Sequence, residues 1–159
     1  MPLKFNVRHL EKRDLSLEGE LPVAELDLET LDELIHAHEP LAYNLQVQKL
    51  NEGILVTGSL RLPIQCDCAR CLTPFPQEIS LDEWTCHLPF AGEDKVEIVN
   101  DCVDLVPIIR EDIVLAFPQH PLCDPECKGL KRPQKDLKPG DLKKPESSSA
   151  WSELNKLKF

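Results

Sequence analysis

The sequence predicts an α+β domain: an antiparallel β-meander or partial barrel with one main helix packed on it, followed by a flexible basic C-terminal tail. Three observations carry this. Two long stretches, 41–62 and 77–90, alternate apolar and polar residues with the period of half-buried strands. One segment, 104–117, has helical spacing with start and stop signals. Between Lys131 and Ser149, large apolar residues nearly vanish while lysines and prolines accumulate. The boundaries expected are therefore a β-rich domain at 1–130 and a tail at 131–159.

Taken in order, Leu3–Leu10 alternates and reads as a strand, and the charged run Glu11–Glu20 reads as a loop. Ala24–Leu28 fits a strand or a lead-in. Thr30–His38 fits a short helical turn, with Thr30 as N-cap and Leu31, Leu34 and Ile35 on one face. His36 and His38 are expected on the surface. Leu41–Leu50 and Ile54–Leu62 flank Asn51-Glu52-Gly53 as a hairpin, with Gly58 marking a bulge and Pro63 ending the regular strand. In Gln77–Phe90 the inward set is Ile79, Leu81, Trp84, Cys86, Leu88 and Phe90, and a short strand is expected at Val96–Val99. In the helix, Asp104 is the expected N-cap and Pro107 sits in the first turn. Leu105, Ile108, Ile109, Ile113 and Ala116 form the apolar stripe, Arg110, Glu111 and Asp112 face water, and Pro118 stops it.

Charge divides the chain. Residues 128–159 hold nine Lys/Arg against four Asp/Glu, a net of +5, whereas residues 1–127 hold nine against 24, a net of −15. An acidic body repels a phosphate backbone, and a basic tail approaches one. The amino terminus has no apolar run of signal-peptide length, and no stretch approaches the roughly 20 apolar residues that cross a bilayer. A cytoplasmic, reducing location without membrane association is the expectation, and there thiols are free or metal-bound more often than bridged.

Seven cysteines, an odd number, cannot all pair internally. Cys68-Ala69-Arg70-Cys71 has zinc-ligand spacing, and Cys123-Asp124-Pro125-Glu126-Cys127 offers a second pair after 51 intervening residues. Two readings stand at this level: the pairs close a structural zinc site, or they are unmetallated thiols. A redox Cys-x-x-Cys lacks the helix start that lowers its thiol pKa, because Cys68 leaves a strand and enters a turn. Cys66 and Cys86 fall in alternating strands as small buried apolar residues, and Cys102 precedes the helix. With only six glycines and no cluster among them, there is no phosphate loop, and no catalytic constellation stands out.

Cys68-Ala69-Arg70-Cys71-Leu72-Thr73-Pro74-Phe75, then Val103-Asp104-Leu105 and Arg110–Pro118, then Cys123…Cys127-Lys128-Gly129-Leu130 occur in order, with Trp151, Leu154 and Leu157 near the end. In this combination the chain resembles the YceD family, long catalogued as a domain of unknown function. The resemblance implies a non-catalytic factor supporting accumulation of 23S ribosomal RNA and assembly of the large ribosomal subunit. Its partners would be a ribosomal protein or pre-ribosomal particle, with the RNA touched directly or through them. Many relatives carry further cysteines after the Cys…Cys-Lys-Gly-Leu segment, where this chain has Lys131-Arg132-Pro133. Any zinc site here must therefore combine Cys68 and Cys71 with Cys123 and Cys127. The candidate RNA or partner contacts are Arg70, Lys128, Lys131, Arg132 and Lys135, with Trp151, Leu154 and Leu157 on a short terminal amphipathic helix. Two other functions compete: a zinc-binding interaction module without a ribosomal role, and a thiol-redox protein.

Overall fold

A computed structural model describes residues 3–28 and 31–131. Its centre is a meander. β4 (Leu41–Lys49) pairs antiparallel with β5 (Gly53–Asp67), and β5 pairs along its other edge with β6 (Pro74–Pro89). β2 (Leu15–Leu21) extends the sheet beyond β4, and the two-residue β3 (Ile35–His36) continues the β4 edge by pairing with Gln65 and Cys66. A second, two-stranded sheet joins β1 (Lys4–Asn6) to β7 (Cys102–Asp104). Among the described residues two α-helices complete the fold, the single turn α1 (Val23–Leu26) and the main helix α2 (Val106–Leu115). The expected α+β architecture, a meander with one principal helix, is what the chain adopts.

The alternating residues of β4 and β5 supply the core. Leu45, Val47, Ile54, Val56, Leu60 and Leu62 are fully shielded, and each such aliphatic side chain contributes about 1.5–3 kcal/mol relative to exposure. Leu105, Ile109 and Ile113 of α2 pack in the same cluster, together with Leu3, Phe5 and Val103 of the small sheet.

Gly58 lies where β4 and β5 approach: an added Cβ would sit 2.0 Å from the Asn44 carbonyl oxygen, at a φ of +155°. Beside it the ladder shifts. Gly58 pairs with Trp84 but Leu60 pairs with Leu81, so Asp82 and Glu83 together oppose Ser59. That bulge in β6 explains why its inward residues change parity, from Ile79 and Leu81 to Trp84, Cys86 and Leu88.

Several local expectations give way to tertiary context. Leu3–Leu10 is a strand only to Asn6, after which Val7–Glu11 turns as a 3-10 helix. The charged run 15–21 is a strand, because Leu15, Leu17 and Leu21 alternate under its carboxylates. Residues 23–26 form a helical turn, and Ile35–His36 is a strand preceded by an Asx turn in which Asp32 Oδ1 accepts from the Leu34 N–H at 2.7 Å. Thr30 lies outside the described residues. Pro63 does not end β5, which runs four residues further. The segment 96–99 contributes a single bridge, Val99 to Cys102. In α2, Asp104 Oδ1 accepts from the Val106 N–H at 3.0 Å from one position outside the cap. Arg110 and Asp112 are half-buried: Arg110 Nε donates to the Leu26 carbonyl at 2.8 Å, and Asp112 accepts from Trp84 Nε1 at 2.6 Å. No helix among the described residues is long and apolar enough to cross a membrane.

Candidate metal centre

The β5–β6 hairpin closes through residues 68–73, immediately after the Asp67–Pro74 pair. Within it the Leu72 N–H donates to the Cys68 carbonyl at 2.8 Å and the Cys68 N–H to the Thr73 carbonyl at 3.0 Å, folding Cys68 and Cys71 onto one side. Leu72 accommodates the reversal at a φ of +59°. The second pair sits on the chain after α2. Asp124 shapes it: its carboxylate accepts from the Glu126 N–H at 2.7 Å and its carbonyl from the Cys127 N–H at 3.0 Å.

Three contacts dock the two turns. The Ala69 N–H donates to the Pro121 carbonyl at 2.8 Å, and one Arg70 guanidinium nitrogen donates to the carbonyls of Cys127 and Pro125 at 3.0 and 3.4 Å. Gly129, at a φ of +81°, passes close to the Arg70 carbonyl.

Docking brings the four sulfurs within 4.8 Å of one another, with Cys68 to Cys127 at 3.8 Å and Cys71 to Cys123 at 3.6 Å. A tetrahedral ion with metal–sulfur bonds of about 2.3 Å places its ligands about 3.8 Å apart. The donor set and its spacing therefore fit a tetrathiolate metal centre. With four protein ligands such a centre has no open position, so a metal there would supply structure and no Lewis-acid step.

The electrostatics agree with that use. Backbone N–H groups of Cys123 and Cys71 aim at the Cys68 sulfur and bring its thiol down from 9.0 to about 6. The Thr73 hydroxyl and N–H favour the Cys71 thiolate, and its pKa is lowered as well. Cys123 is pushed up to about 12 by the sulfurs of Cys71 and Cys68. At Cys127 the Gly129 N–H favours the thiolate, but burial and the neighbouring sulfurs outweigh it and raise the pKa. Four adjacent thiolates repel one another, and a dication offsets that repulsion. By contrast, Cys66 is raised by burial and the carboxylates of Asp32 and Asp67, and Cys86 by burial and Asp112, so both stay thiols. His36 lies outside the cluster: its Nε2 meets Asp67 Oδ2 at 3.2 Å and its ring stacks on that of His38.

The structure thus gathers all four predicted ligands. Lys128 and Lys131 are exposed on the chain leaving Cys127, whereas Arg70 is engaged with two carbonyls across the docked turns. Arg132, Lys135, Trp151, Leu154 and Leu157 lie outside the described residues. Sequence reasoning missed Asp124 and Thr73. Asp-Pro is a turn-initiating pair and could have flagged the first, while the second has no signal beyond proximity.

Residues 56–158 match the family described as large ribosomal RNA subunit accumulation protein YceD. An uncharacterized protein of Mycobacterium tuberculosis is 33% identical over 98 residues, 57% of this chain and 47% of the relative. One from Mycobacterium leprae is 27% identical over 142 residues, 81% of this chain and 64% of the relative. The uncharacterized protein YlbN of Bacillus subtilis is 31% identical over 88 residues, 52% of this chain and 49% of the relative. The chain spans about half the length of two of these relatives and somewhat more of the third. No solved structure matches. With a match that begins in β5, takes in all four converging thiols and runs on through the basic tail, the chain belongs to the YceD family.

Proposed function

We propose that this protein is a non-catalytic, cytoplasmic assembly factor that supports 23S rRNA accumulation and large ribosomal subunit formation, with its two cysteine turns held together by zinc. The single observation that supports this reading most is the family match across the converging thiols. Zinc is favoured over other divalent ions because four thiolates at tetrahedral spacing suit a borderline-soft ion with no geometric demand of its own.

The metal fixes the end of the chain from which the cations leave. Lys128 and Lys131, followed in sequence by Arg132 and Lys135, supply positive charge beside a rigid turn, so RNA phosphates are met by a positioned group. The body, at −15 over residues 1–127, accounts for the other partner, a basic ribosomal protein or a pre-ribosomal particle. Residues 1–130 serve as scaffold and 131–159 as the RNA-facing extension, with Trp151, Leu154 and Leu157 as its apolar contacts.

The test is deletion of the gene and complementation. Loss of the protein should lower 23S rRNA relative to 16S and deplete 50S particles in a sucrose gradient. The native chain should restore both, and the Cys71→Ser chain should not. Unchanged 23S levels on deletion would refute the ribosomal role.

A further inference from the structure

At the far end of β6 from the thiols, Leu88 helps to floor a cleft of about 840 Å³. Pro74 and Leu88 are separated by about 45 Å of strand at the usual rise per residue. The rest of the floor comes from Val96 in the 91–101 connector and Ile108 on α2. The rim is acidic. Asp94, Glu97, Asp104 and Glu111 line it against only Lys4 and Lys95, and Lys4 is already committed to Asp104 at 3.4 Å.

A second feature points the same way. The connector turns back at Asn100 and Asp101, both at positive φ (53° and 61°), the left-handed conformation that Asn and Asp tolerate and that a tight two-residue turn requires. It is pinned rather than loose. Val99 and Cys102 exchange backbone hydrogen bonds at 3.0 and 2.9 Å, the Val7 N–H donates to the Asp101 carbonyl at 2.8 Å, and Arg8 pairs with the Asp101 carboxylate at 2.7 Å. This pinned turn holds Val99 at the cleft with 57% of its surface exposed. Leu115, on the same side of α2 as Glu111, is 82% exposed. Val99 and Leu115 are thus left in water beside a ring of carboxylates, while Leu88 belongs to the core and Val96 and Ile108 are half-buried against it, so the floor is fixed and only its upper edge is uncovered.

We propose that this cleft docks a lysine- or arginine-bearing aliphatic segment of a partner protein: the aliphatic side chains cover the exposed Val99 and the open edges of the half-buried Val96 and Ile108 above the buried Leu88, and the cations meet Asp94, Glu97 and Glu111. This deepens the reading above, in which the acidic body grips protein. RNA is disfavoured as the occupant because, with Lys4 paired to Asp104, the three carboxylates of Asp94, Glu97 and Glu111 face only Lys95, and a second copy is disfavoured because its body carries the same net negative charge.

The test uses the full chain, ¹⁵N-labelled and metal-loaded. The probe is a synthetic peptide of about twelve residues made of Lys and Leu, with a Glu/Leu counterpart as control. The Lys/Leu peptide should shift the amides of residues 95–99 and 106–111 and leave 68–73 unmoved. The paired substitution Glu97→Lys/Glu111→Lys should weaken it about tenfold or more, and Ile108→Ala severalfold, with thermal melting of each variant confirming that it is folded. Equal binding of the Glu/Leu peptide, or no loss on charge reversal, overturns the proposal. Shifts of the same amides with protein concentration alone would assign the cleft to a second copy. Tighter peptide binding by a Trp151→Ala/Leu154→Ala chain would assign it to the protein's own terminal segment. Both of those outcomes overturn it too. The titration needs no ribosome, so failure of the rRNA experiment and failure of the cleft are read separately.

Discussion

At one end of the β5–β6 hairpin, four thiols from two distant turns converge within 4.8 Å, and the neighbouring exposed charges are of both signs, Asp124 and Glu126 beside Arg70, Lys128 and Lys131. At the other end, Leu88 floors a cleft with an acidic rim, walled by α2 and a pinned turn. The first region has little buried apolar surface: apart from Cys68, its residues between 68 and 73 are exposed or half-buried. Three docking hydrogen bonds hold it, and a metal bound by the four thiolates would add to them. The second is backed by the core cluster, through Leu105, Ile109 and Ile113. Hydrophobic burial is distributed over many contacts and tolerates local loss, whereas a four-ligand centre fails when one ligand goes. The two ends should therefore respond differently to the same insult.

The largest separation is expected from metal removal. Structural zinc contributes on the order of 10 kcal/mol to the folding of small zinc modules. Chelation or Cys71→Ser should release the bound ion, seen by elemental analysis, and speed amide exchange at 68–73 and 121–130. Exchange in β4 and β5 should stay slow. If it rises equally across the sheet, the metal end is not a separate unit.

Next comes thiol reactivity in metal-free protein. The fold favours ionised Cys68, so its contribution to stability is fully present above the ordinary 9.0 and is lost as pH falls through about 6. Near neutral pH, iodoacetamide should label the half-buried Cys71, whose thiolate Thr73 favours, severalfold faster than Cys66 or Cys86, which burial pushes up, whereas the fully buried Cys68 should react only as the turn opens. Uniform labelling by mass spectrometry would mean that the fold does not separate these thiols electrostatically.

Core truncation tests the opposite end. Ile109→Ala should cost about 2–5 kcal/mol in denaturant unfolding while zinc stoichiometry is retained. Trp84→Phe, which deletes the 2.6 Å hydrogen bond to Asp112, should cost about 1–3 kcal/mol because the acceptor is a half-buried carboxylate left unpaired. The smallest effect is electrostatic. Lys128→Glu/Lys131→Glu should leave the melting temperature unchanged and lower the salt slope of RNA binding by about one to two. An unchanged slope would place the RNA contact elsewhere.

The legible parts were those where local pattern and tertiary environment agree. β4, β5 and α2 could be read because one face of each is buried, which imposes period 2 or 3.6 on the residues themselves. β2 was hidden because two of its three outward residues, Glu18 and Glu20, are carboxylates inside a charged run, which masked Leu15, Leu17 and Leu21. β3 has only two residues, too few to show a period, and exists because β5 offers an unpaired edge at Gln65 and Cys66. Arg70 is expected as an RNA or partner contact; the structure adds that its guanidinium reaches carbonyls more than fifty residues away in sequence, a link that no local pattern encodes.

By itself, the sequence determined the strands of the meander, the main helix, the identity of the four thiols and the division of charge between body and tail. Each is a property of neighbours in the chain: alternation, caps, ligand spacing, net charge. Only the tertiary structure decided that Cys68 and Cys71 meet Cys123 and Cys127, that a bulge at Asp82 and Glu83 reverses the parity of β6, and that an acidic cleft forms beside Val99. These depend on which segments dock across the sheet. The free energy of docking is summed over contacts between residues far apart in sequence, so a local reading can name the participants but not their meeting.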